Sequence, residues 1–457
     1  MWKLLQERRP ISRPAVFFVA LLAIYYCWMT GFTFRFSETS IFPTYNMLAT
    51  SFLKGQLNID ENPPVDYLIY KGKRYLYFGP GPVLFHMPTL MLAGKQTPTG
   101  LMVIVFLAGA AAIFCAILNL WRQLDRTLGI EIAAFSALFA FNGYSALMAA
   151  IPSIHHEAIC AGMFFLLSGL YYVLKSARNG FEFDFGDAMV CGTCFCLCVL
   201  SRFSYVFTVI VMTLVMILGT VRNSKQSAKT RSLLPVFVLA LITLAGIAGT
   251  LGYNYLRFGN LSDFGVRFMQ TLYRDYFSQG NYLRYDHIPY NLWDYFFRIP
   301  QLAPDFPYLK LPFYILEATS FRSASYFLMH LNELSVSIFV LMPVLIFCFF
   351  CSFRGEASES KFEQIASRIL FAAVVLQVIP LSLTIGSVAR YYFDFLPLML
   401  VLAFAGYVGI KSRLSSNYFI LGLTSALSLV LSFCVPMSAL IFYLSFINFR
   451  SPLLELW

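Results

Sequence analysis

The chain has 457 residues, of which 59% are hydrophobic and 12% are charged, and its formal net charge is +10. Soluble domains carry about 25% charged residues, so a soluble fold of this size would lack the polar surface that it needs. We therefore predict an all-α polytopic membrane protein. We interpret the positive charge as Lys and Arg of cytoplasmic loops, and we expect no nucleic-acid partner.

The first predicted membrane helix spans residues 14–32 and follows a segment that contains Arg8 and Arg9. Its apolar stretch is too long for the hydrophobic region of a signal peptide, and no small-residue cleavage site follows it. We expect a retained helix with its basic end in the cytoplasm.

Basic clusters predict how the rest of the chain is threaded, because loops rich in Lys and Arg stay in the cytoplasm. A threading with about twelve membrane helices puts every such cluster on the cytoplasmic side. Segment 79–94 is short and interrupted by three prolines, which fits a re-entrant or interfacial piece better than a span. The predicted helices lie near 14–32, 98–121, 129–150, 156–175, 185–201, 203–221, 233–254, 332–352, 367–386, 391–410, 416–434 and 436–449.

This threading leaves two large extracytoplasmic loops, at 33–97 and 255–331, which we expect to carry interfacial helices. We divide the chain into a catalytic transmembrane module over residues 1–331 and C-terminal transmembrane helices over 332–457. Because no soluble catalytic domain is recognisable, we expect any chemistry at the outer membrane face.

The first outer loop contains two predicted elements. Apolar residues recur at helical spacing between 42 and 57, with polar residues between them, as is typical of a helix lying in the membrane interface. Residues 66–78 form two aromatic-rich runs around Lys71 and Gly72. These runs predict a β-hairpin or an extended lip.

Several short motifs resemble the GT-C superfamily of membrane glycosyltransferases. They are FLKGQL at the end of the interfacial helix, KGKRYLYFGPGP after it, YNYLRFGN at 253–260 and ARYYFDFLPLML at 389–400. The order and predicted sidedness of these motifs are similar to bacterial members that resemble protein mannosyltransferases and the lipid A aminoarabinose transferase. The resemblance implies transfer of a sugar from a polyprenyl-phosphate carrier, such as undecaprenyl phosphate, to a glycan, lipid or protein acceptor. It also implies an inner-membrane enzyme with an extracytoplasmic active site.

The resemblance places a catalytic carboxylate just before the interfacial helix, where this sequence has Glu38. The attacking hydroxyl of an acceptor needs a base, and a carboxylate within hydrogen-bond reach can accept its proton during an inverting displacement. Other interpretations stay open. Glu38 could pair with Arg35 in the headgroup layer, and Asp60, Glu61 and Asp66 are rival bases.

Arg202, Arg257 and Arg390 stand at predicted outer helix ends, against the positive-inside bias. A guanidinium binds phosphate through paired N–H donors, and the resemblance implies that such residues bind the carrier phosphate. Arg257 is the first candidate, followed by Arg390 and Arg202, with Arg74 of the first loop as a further one. The alternatives are snorkelling or a structural pair, such as Arg390 with Asp394 one helical turn on.

His155, His156 and Glu157 are adjacent at a predicted outer helix start. They could bind substrate, ligate a divalent metal such as Mg²⁺ or Mn²⁺, or serve the structure alone, since adjacent residues on a helix cannot all face one point. The resemblance does not decide the metal requirement, because some members of the superfamily use a metal and others do not.

Two other functions stay open beside the glycosyltransferase. A transporter or flippase for lipid-linked glycans should show charged or broken helices near the membrane midplane and often internal repeats. An O-antigen-type polymerase or ligase would also act at the outer face, with its large loop late in the chain. The elaborate first outer loop favours the glycosyltransferase.

Overall fold

The computed structural model describes most of the chain. Glu38 and Arg35 lie outside the described residues, as do the predicted helices at 416–434 and 436–449 apart from Val430. The described residues are 13–34, 44–61, 67–122, 125, 128–150, 152–226, 233–270, 278–280, 282–299, 301–302, 309–310, 337–351, 361–384, 386–387, 389–413 and 430.

The described part is built almost entirely from helices. Short antiparallel strands complete it, β1 (Tyr67–Tyr70) with β2 (Lys73–Leu76) and β3 (Gln301–Leu302) with β4 (Leu309–Lys310). The helices are α1 (Arg13–Met29), α2 (Thr44–Leu53), α3 (Val83–Ala93), α4 (Thr99–Arg122), α5 (Gly129–Phe141), α6 (Gly143–Ala150), α7 (Ile154–Arg178), α8 (Phe185–Ser201), α9 (Val206–Gln226), α10 (Leu234–Phe258), α11 (Ile288–Phe296), α12 (Ile338–Leu341), α13 (Lys361–Ser382) and α14 (Leu396–Arg413).

Within the described ranges, five helices are long and apolar enough to cross a membrane: α4, α7, α9 with the 3₁₀ turn before it, α10 and α13. The pair α5 and α6, bent by 43°, makes a sixth if it is one span. Helices α1, α3, α8 and α14 are apolar but shorter. The prediction of a multi-pass helical membrane protein is confirmed, whereas the count of about twelve spans is not confirmed and remains a prediction.

The helix termini follow ordinary capping chemistry. Ser153 precedes α7, and its hydroxyl accepts a hydrogen bond of 3.2 Å from the His156 amide. Asp184 caps α8 in the same way, with 2.7 Å from its carboxylate to the Asp187 amide. Helix α10 is followed by Gly259, whose φ of +72° suits the left-handed conformation that closes helices.

The helix ends sort into two groups. At one end of the bundle, Arg202 after α8 pairs with Asp394 before α14. At the other end, Lys175 of α7 pairs with Asp187 of α8 at 2.7 Å, and Lys411 of α14 pairs with Glu131 of α5 at 2.8 Å. We call the first group the outer end and the second the inner end, because the predicted threading places them there. The alternation of these helices agrees with that threading.

The first predicted outer loop folds onto the outer end as a layer made of residues 44–61 and 67–98, which we call the first-loop layer. Helix α2 is the predicted interfacial helix, and β1 with β2 is the predicted hairpin. Its two-residue turn has φ values of +49° at Lys71 and +73° at Gly72, as the twist of a tight hairpin requires.

Close backbone contact holds this layer against α8. The Gly81 amide donates to the Leu200 carbonyl at 3.0 Å. A side chain at Gly79 or Gly81 would collide with the backbone of Leu200, so the GPGP sequence allows an approach that larger residues would prevent.

The core of the bundle is continuous from the N-terminal to the C-terminal helices. The Phe404 ring of α14 packs on Trp121 of α4 at 5.9 Å and on Phe135 of α5 at 5.3 Å between ring centroids. The helices α13 and α14, from the predicted C-terminal unit, therefore share one apolar core with the helices of the predicted catalytic module.

Candidate active site

A fully buried polar network joins the first-loop layer to α7. His86 Nε2 lies 2.6 Å from Glu157 Oε1, and neither side chain is exposed. His86 Nδ1 lies 3.0 Å from Asn46 Oδ1, while the Asn46 amide donates to the Thr97 carbonyl at 2.8 Å. Because three elements of the layer meet at this network, it holds α2, α3 and the chain before α4 against the start of α7.

A second network lies at the end of α8. Arg202 donates from Nη2 to Asp394 Oδ2, and the Tyr205 hydroxyl donates to Asp394 Oδ1 at 2.7 Å. The Asp394 side chain has no exposed surface, so this pair is largely shielded from water. The sequence analysis considered Asp394 as the partner of Arg390, and the structure pairs it with Arg202.

Arg390 joins the same cluster through Tyr391. The Arg202 guanidinium lies 5.5 Å from the centre of the Tyr391 ring, and the Arg390 guanidinium lies 5.9 Å from it. Both guanidinium groups carry charged N–H donors of the kind that bind oxyanions.

Arg202 keeps donor capacity within this cluster. Its side chain is 15% exposed, and its Nε is buried with no hydrogen-bond partner in the described part of the chain. The neighbouring Ser201 hydroxyl is also buried without such a partner. A buried donor without a partner costs free energy, so this corner of the site is suited to an additional polar ligand.

Arg257, the first phosphate candidate from the sequence, is buried and engaged in holding the first-loop layer. Its Nη1 donates to the Leu76 carbonyl of β2 at 2.6 Å, and its Nη2 donates to Asn254 at 2.7 Å. The guanidinium also lies over the Tyr253 ring at 3.8 Å. These contacts connect the end of α10 to the hairpin.

The remaining sequence candidates stand apart from one another. Arg74 donates to the Asp60 carbonyl at 3.3 Å near the surface of the first-loop layer. The His155 ring packs edge-on against Phe78 at 4.8 Å, and the carboxylate of its neighbour Glu157 is held by His86.

His155, His156 and Glu157 therefore do not converge on one point. Among the residues with described positions, no three His, Cys, Asp or Glu side chains form a group that could hold a metal ion. The expectation of a divalent metal stays a prediction.

Tyr45 of α2 packs beside the first network, with 5.9 Å between its ring centroid and that of His86. Its fully buried side chain donates to the Gly79 carbonyl at 3.5 Å. Burial raises the pKa of Tyr45, and the nearby Glu157 raises it further. Tyr45 therefore adds a buried hydroxyl to the first-loop layer.

Residues of the second predicted outer loop reach the same end of the bundle. The Tyr282 hydroxyl lies 3.1 Å from the Tyr77 hydroxyl of the first-loop layer. In α11, the Asn291 amide donates to the carbonyls of Ser382 at 2.8 Å and Thr384 at 2.7 Å. Residues of both predicted outer loops therefore meet at the outer end of the bundle.

The sequence matches no protein-family model and no curated protein. The structure is similar to the crystal structure of ArnT from Cupriavidus metallidurans bound to undecaprenyl phosphate, with a TM-score of 0.42 and 13% identity over 86% of this chain and 60% of that one. For the apo state of that ArnT, the TM-score is 0.44 and the identity 12%, over 94% of this chain and 75% of that one.

The structure is also similar to the archaeal oligosaccharyltransferase AglB from Archaeoglobus fulgidus, with a TM-score of 0.45 and 11% identity over 93% of this chain and 55% of that one. Both neighbours belong to the GT-C superfamily, the group that the sequence resembles. At these identities and TM-scores, the similarity assigns no activity to this chain.

Proposed function

We propose that this protein is a membrane glycosyltransferase that moves a sugar from a polyprenyl-phosphate carrier to a glycan, lipid or protein acceptor. The observation that carries the proposal is the meeting of Arg202 and Arg390 on the Tyr391 ring. Guanidinium donors at the end of membrane helices suit a lipid phosphate, whose tail can stay in the bilayer while its headgroup meets the arginines.

In this proposal Arg202 and Arg390 bind the carrier phosphate. As the bond between the sugar and the phosphate breaks, negative charge builds on the departing phosphate, and preorganised guanidinium donors stabilise it. The buried Nε of Arg202 has no hydrogen-bond partner among the described residues, which supports a role of Arg202 in binding the phosphate. The contacts of Arg257 with Leu76 and Asn254 support a role in positioning the first-loop layer.

Glu38 acts as the general base in the same proposal. It takes the proton of the acceptor hydroxyl while that oxygen attacks the anomeric carbon, and a single displacement of this kind inverts the anomeric centre. In the sequence, Glu38 lies between Phe34 and Thr44, which are both at the outer end.

The distribution of charge also supports this function over a flippase. In the described spans, charged side chains lie within about two turns of a helix end, whereas a transporter of charged lipids needs polar groups near the midplane. An outward-facing site in an inner membrane completes the proposal, because it is where a polyprenyl-linked sugar would meet an envelope acceptor.

The test is release of polyprenyl phosphate from a set of radiolabelled polyprenyl-phosphate sugars by purified protein. Wild type is compared with Glu38→Gln and with Glu131→Gln, a matched control at the inner end. We expect turnover in the wild type and the control, and a loss of at least about 100-fold in Glu38→Gln. Equal turnover in all three would remove Glu38 as the base. Translocation of a lipid-linked glycan without sugar transfer would contradict the proposed function.

A further inference from the structure

Helix α11, from the second predicted outer loop, contacts the chain that connects α13 to α14. The Asn291 amide donates to the carbonyls of Ser382 and Thr384, at the last residue of α13 and just beyond it. The Nδ1 atom of His287 lies 3.1 Å from the Leu383 carbonyl oxygen between them. Carbonyl groups at the end of a helix lack partners within that helix, so α11 supplies them. The start of the connecting chain is therefore fixed by α11.

Asp294, about one turn further along α11, contacts the rest of the same chain. Its side chain has no exposed surface, and its Oδ2 accepts a hydrogen bond of 2.9 Å from the Ser387 hydroxyl. Its Oδ1 lies 3.4 Å from Nη1 of Arg298, four residues on. The backbone carbonyl of Asp294 accepts a hydrogen bond of 3.3 Å from the Tyr392 hydroxyl. We call Asn291 and Asp294 the α11 clamp.

The geometry of residues Ala389–Asp394 explains how the α11 clamp acts on the arginine cluster. These residues form a 3₁₀ helix, in which side chains three positions apart share one face. Tyr391 and Asp394 lie on one such face and both contact Arg202. Tyr392 is a third of a turn away and contacts α11. Because the 3₁₀ helix turns as a unit, the contact of Tyr392 with α11 sets the direction of the face that meets Arg202.

Aromatic packing holds Tyr392 in this orientation. Its ring is fully buried, 5.3 Å from the Tyr295 ring of α11 and 5.2 Å from the Tyr144 ring of α6, between centroids. Protein interiors are close-packed, so a side chain enclosed by two rings and held by its hydroxyl keeps one orientation. The 3₁₀ helix is therefore positioned by α11 and α6 as well as by its contacts with the arginine.

We propose that the α11 clamp positions the phosphate site, by fixing Arg390 and Tyr391 in the place where the carrier phosphate binds. In the sequence, Arg390 and Tyr391 stand between Ser387 and Tyr392, the two points at which Asp294 contacts this chain. The clamp acts through the 3₁₀ helix and is not itself a phosphate ligand. This inference rests on the proposed function, because it gives the second outer loop a role in the same carrier site.

The test compares the affinity of the full-length protein in detergent for polyprenyl phosphate and for polyprenol of the same chain length. The ratio of the two affinities reports the phosphate site, because both lipids have the same tail. Asn291→Ala and Tyr392→Phe each remove contacts between α11 and the connecting chain while both arginines stay in place. We expect the ratio to fall about fivefold to tenfold in each variant.

Two control variants make the same chemical changes toward the inner end of the bundle. Asn119→Ala in α4 and Tyr171→Phe in α7 should leave the affinity ratio unchanged. Amide hydrogen exchange of the lipid-free protein follows the positioning directly. Exchange should quicken at residues 389–394 in both clamp variants and in neither control. If Asn291→Ala does not fold, Tyr392→Phe decides the test, because it removes a single hydroxyl and keeps the ring.

The possible outcomes separate this inference from the proposed function. A wild-type affinity ratio in the folded clamp variants would overturn the inference and leave the proposed function standing. An equal fall in the controls would also overturn it, because the loss would then not depend on α11. A wild type that binds polyprenyl phosphate no more tightly than polyprenol would contradict the proposed function, and the inference with it.

Discussion

The buried networks of the outer end and the ion pairs of the inner end differ in their exposure to water. At the outer end, Glu157, His86 and Asp394 have no exposed side-chain surface, and their partners come from distant parts of the chain. At the inner end, the side chains of the Lys175–Asp187 pair are 37% and 21% exposed, and those of the Lys411–Glu131 pair are 19% and 21% exposed.

This difference indicates that the charged groups of the two ends have different roles. Ion pairs that remain in contact with water cost little to form and contribute little, as expected for loops that keep Lys and Arg on the cytoplasmic side. Burying charges carries a large desolvation cost, which apolar residues of the same size would avoid. The outer end therefore retains its polar groups at the expense of stability, as a functional site does.

The largest effect is expected when the outer cluster loses its carboxylate. Asp394→Ala leaves Arg202 without its buried partner, and we expect a loss of about 3–5 kcal/mol in the free energy of unfolding. Reversible unfolding of the purified protein in detergent measures it. The double variant Arg202→Met with Asp394→Leu should recover most of that loss. A loss below about 0.5 kcal/mol in the single variant would show that the cluster is not buried as described.

The next effect concerns the His86–Glu157 network. His86→Leu removes the donor for a buried carboxylate, which should lower the free energy of unfolding by about 2–3 kcal/mol in the same assay. His86→Gln can still donate to Glu157 and should lose much less. Equal losses in the two variants would mean that the imidazole contributes packing and not its hydrogen bond.

A smaller effect is expected at Arg257, because Lys keeps the charge while losing the fork that reaches Leu76 and Asn254. Arg257→Lys should lower the free energy of unfolding by about 1–2 kcal/mol. It should also speed amide hydrogen exchange in β1 and β2 before it changes exchange elsewhere. If exchange in the hairpin stays at the wild-type rate, Arg257 does not hold the first-loop layer.

The smallest effect on the free energy of unfolding is expected at the inner end. Lys175→Ala removes half of a partly exposed ion pair and should change the free energy of unfolding by less than about 1 kcal/mol. The same unfolding assay measures it. A loss as large as that of Asp394→Ala would erase the contrast between the two ends.

Local patterns allowed much of the fold to be predicted. The aromatic runs around Lys71 and Gly72 predicted the hairpin, and the helical spacing between 42 and 57 predicted α2. The prolines of 79–94 predicted a piece too short to span, where the structure has α3. Each of these features is determined by neighbours in the sequence. The full number of spans remains a prediction, because residues 414–429 and 431–457 lie outside the described ranges.

The partners inside the candidate site could not be predicted in the same way. Arg202 and Asp394 are 192 positions apart, and His86 and Glu157 are 71 apart. No periodicity connects such residues, and only the packing of the helices brings them together. The closeness of His155 and Glu157 in the sequence suggested a shared role. Residues two positions apart on a helix point about 160° apart, however, and these two contact different partners. The useful signal in the sequence was the position of Arg202 at a predicted outer helix end, because it ran against the positive-inside bias and pointed to the candidate site.

The most direct test of the account is photo-crosslinking with a polyprenyl phosphate that carries a photoreactive group beside the phosphate. The account predicts crosslinks in the first-loop layer or in the peptides that contain Arg202 and Arg390, and their loss in Arg202→Gln. Lys411→Gln, at the inner end, should leave them unchanged. Crosslinks concentrated at the inner end, or insensitive to Arg202→Gln, would contradict a carrier-phosphate site beneath the first outer loop.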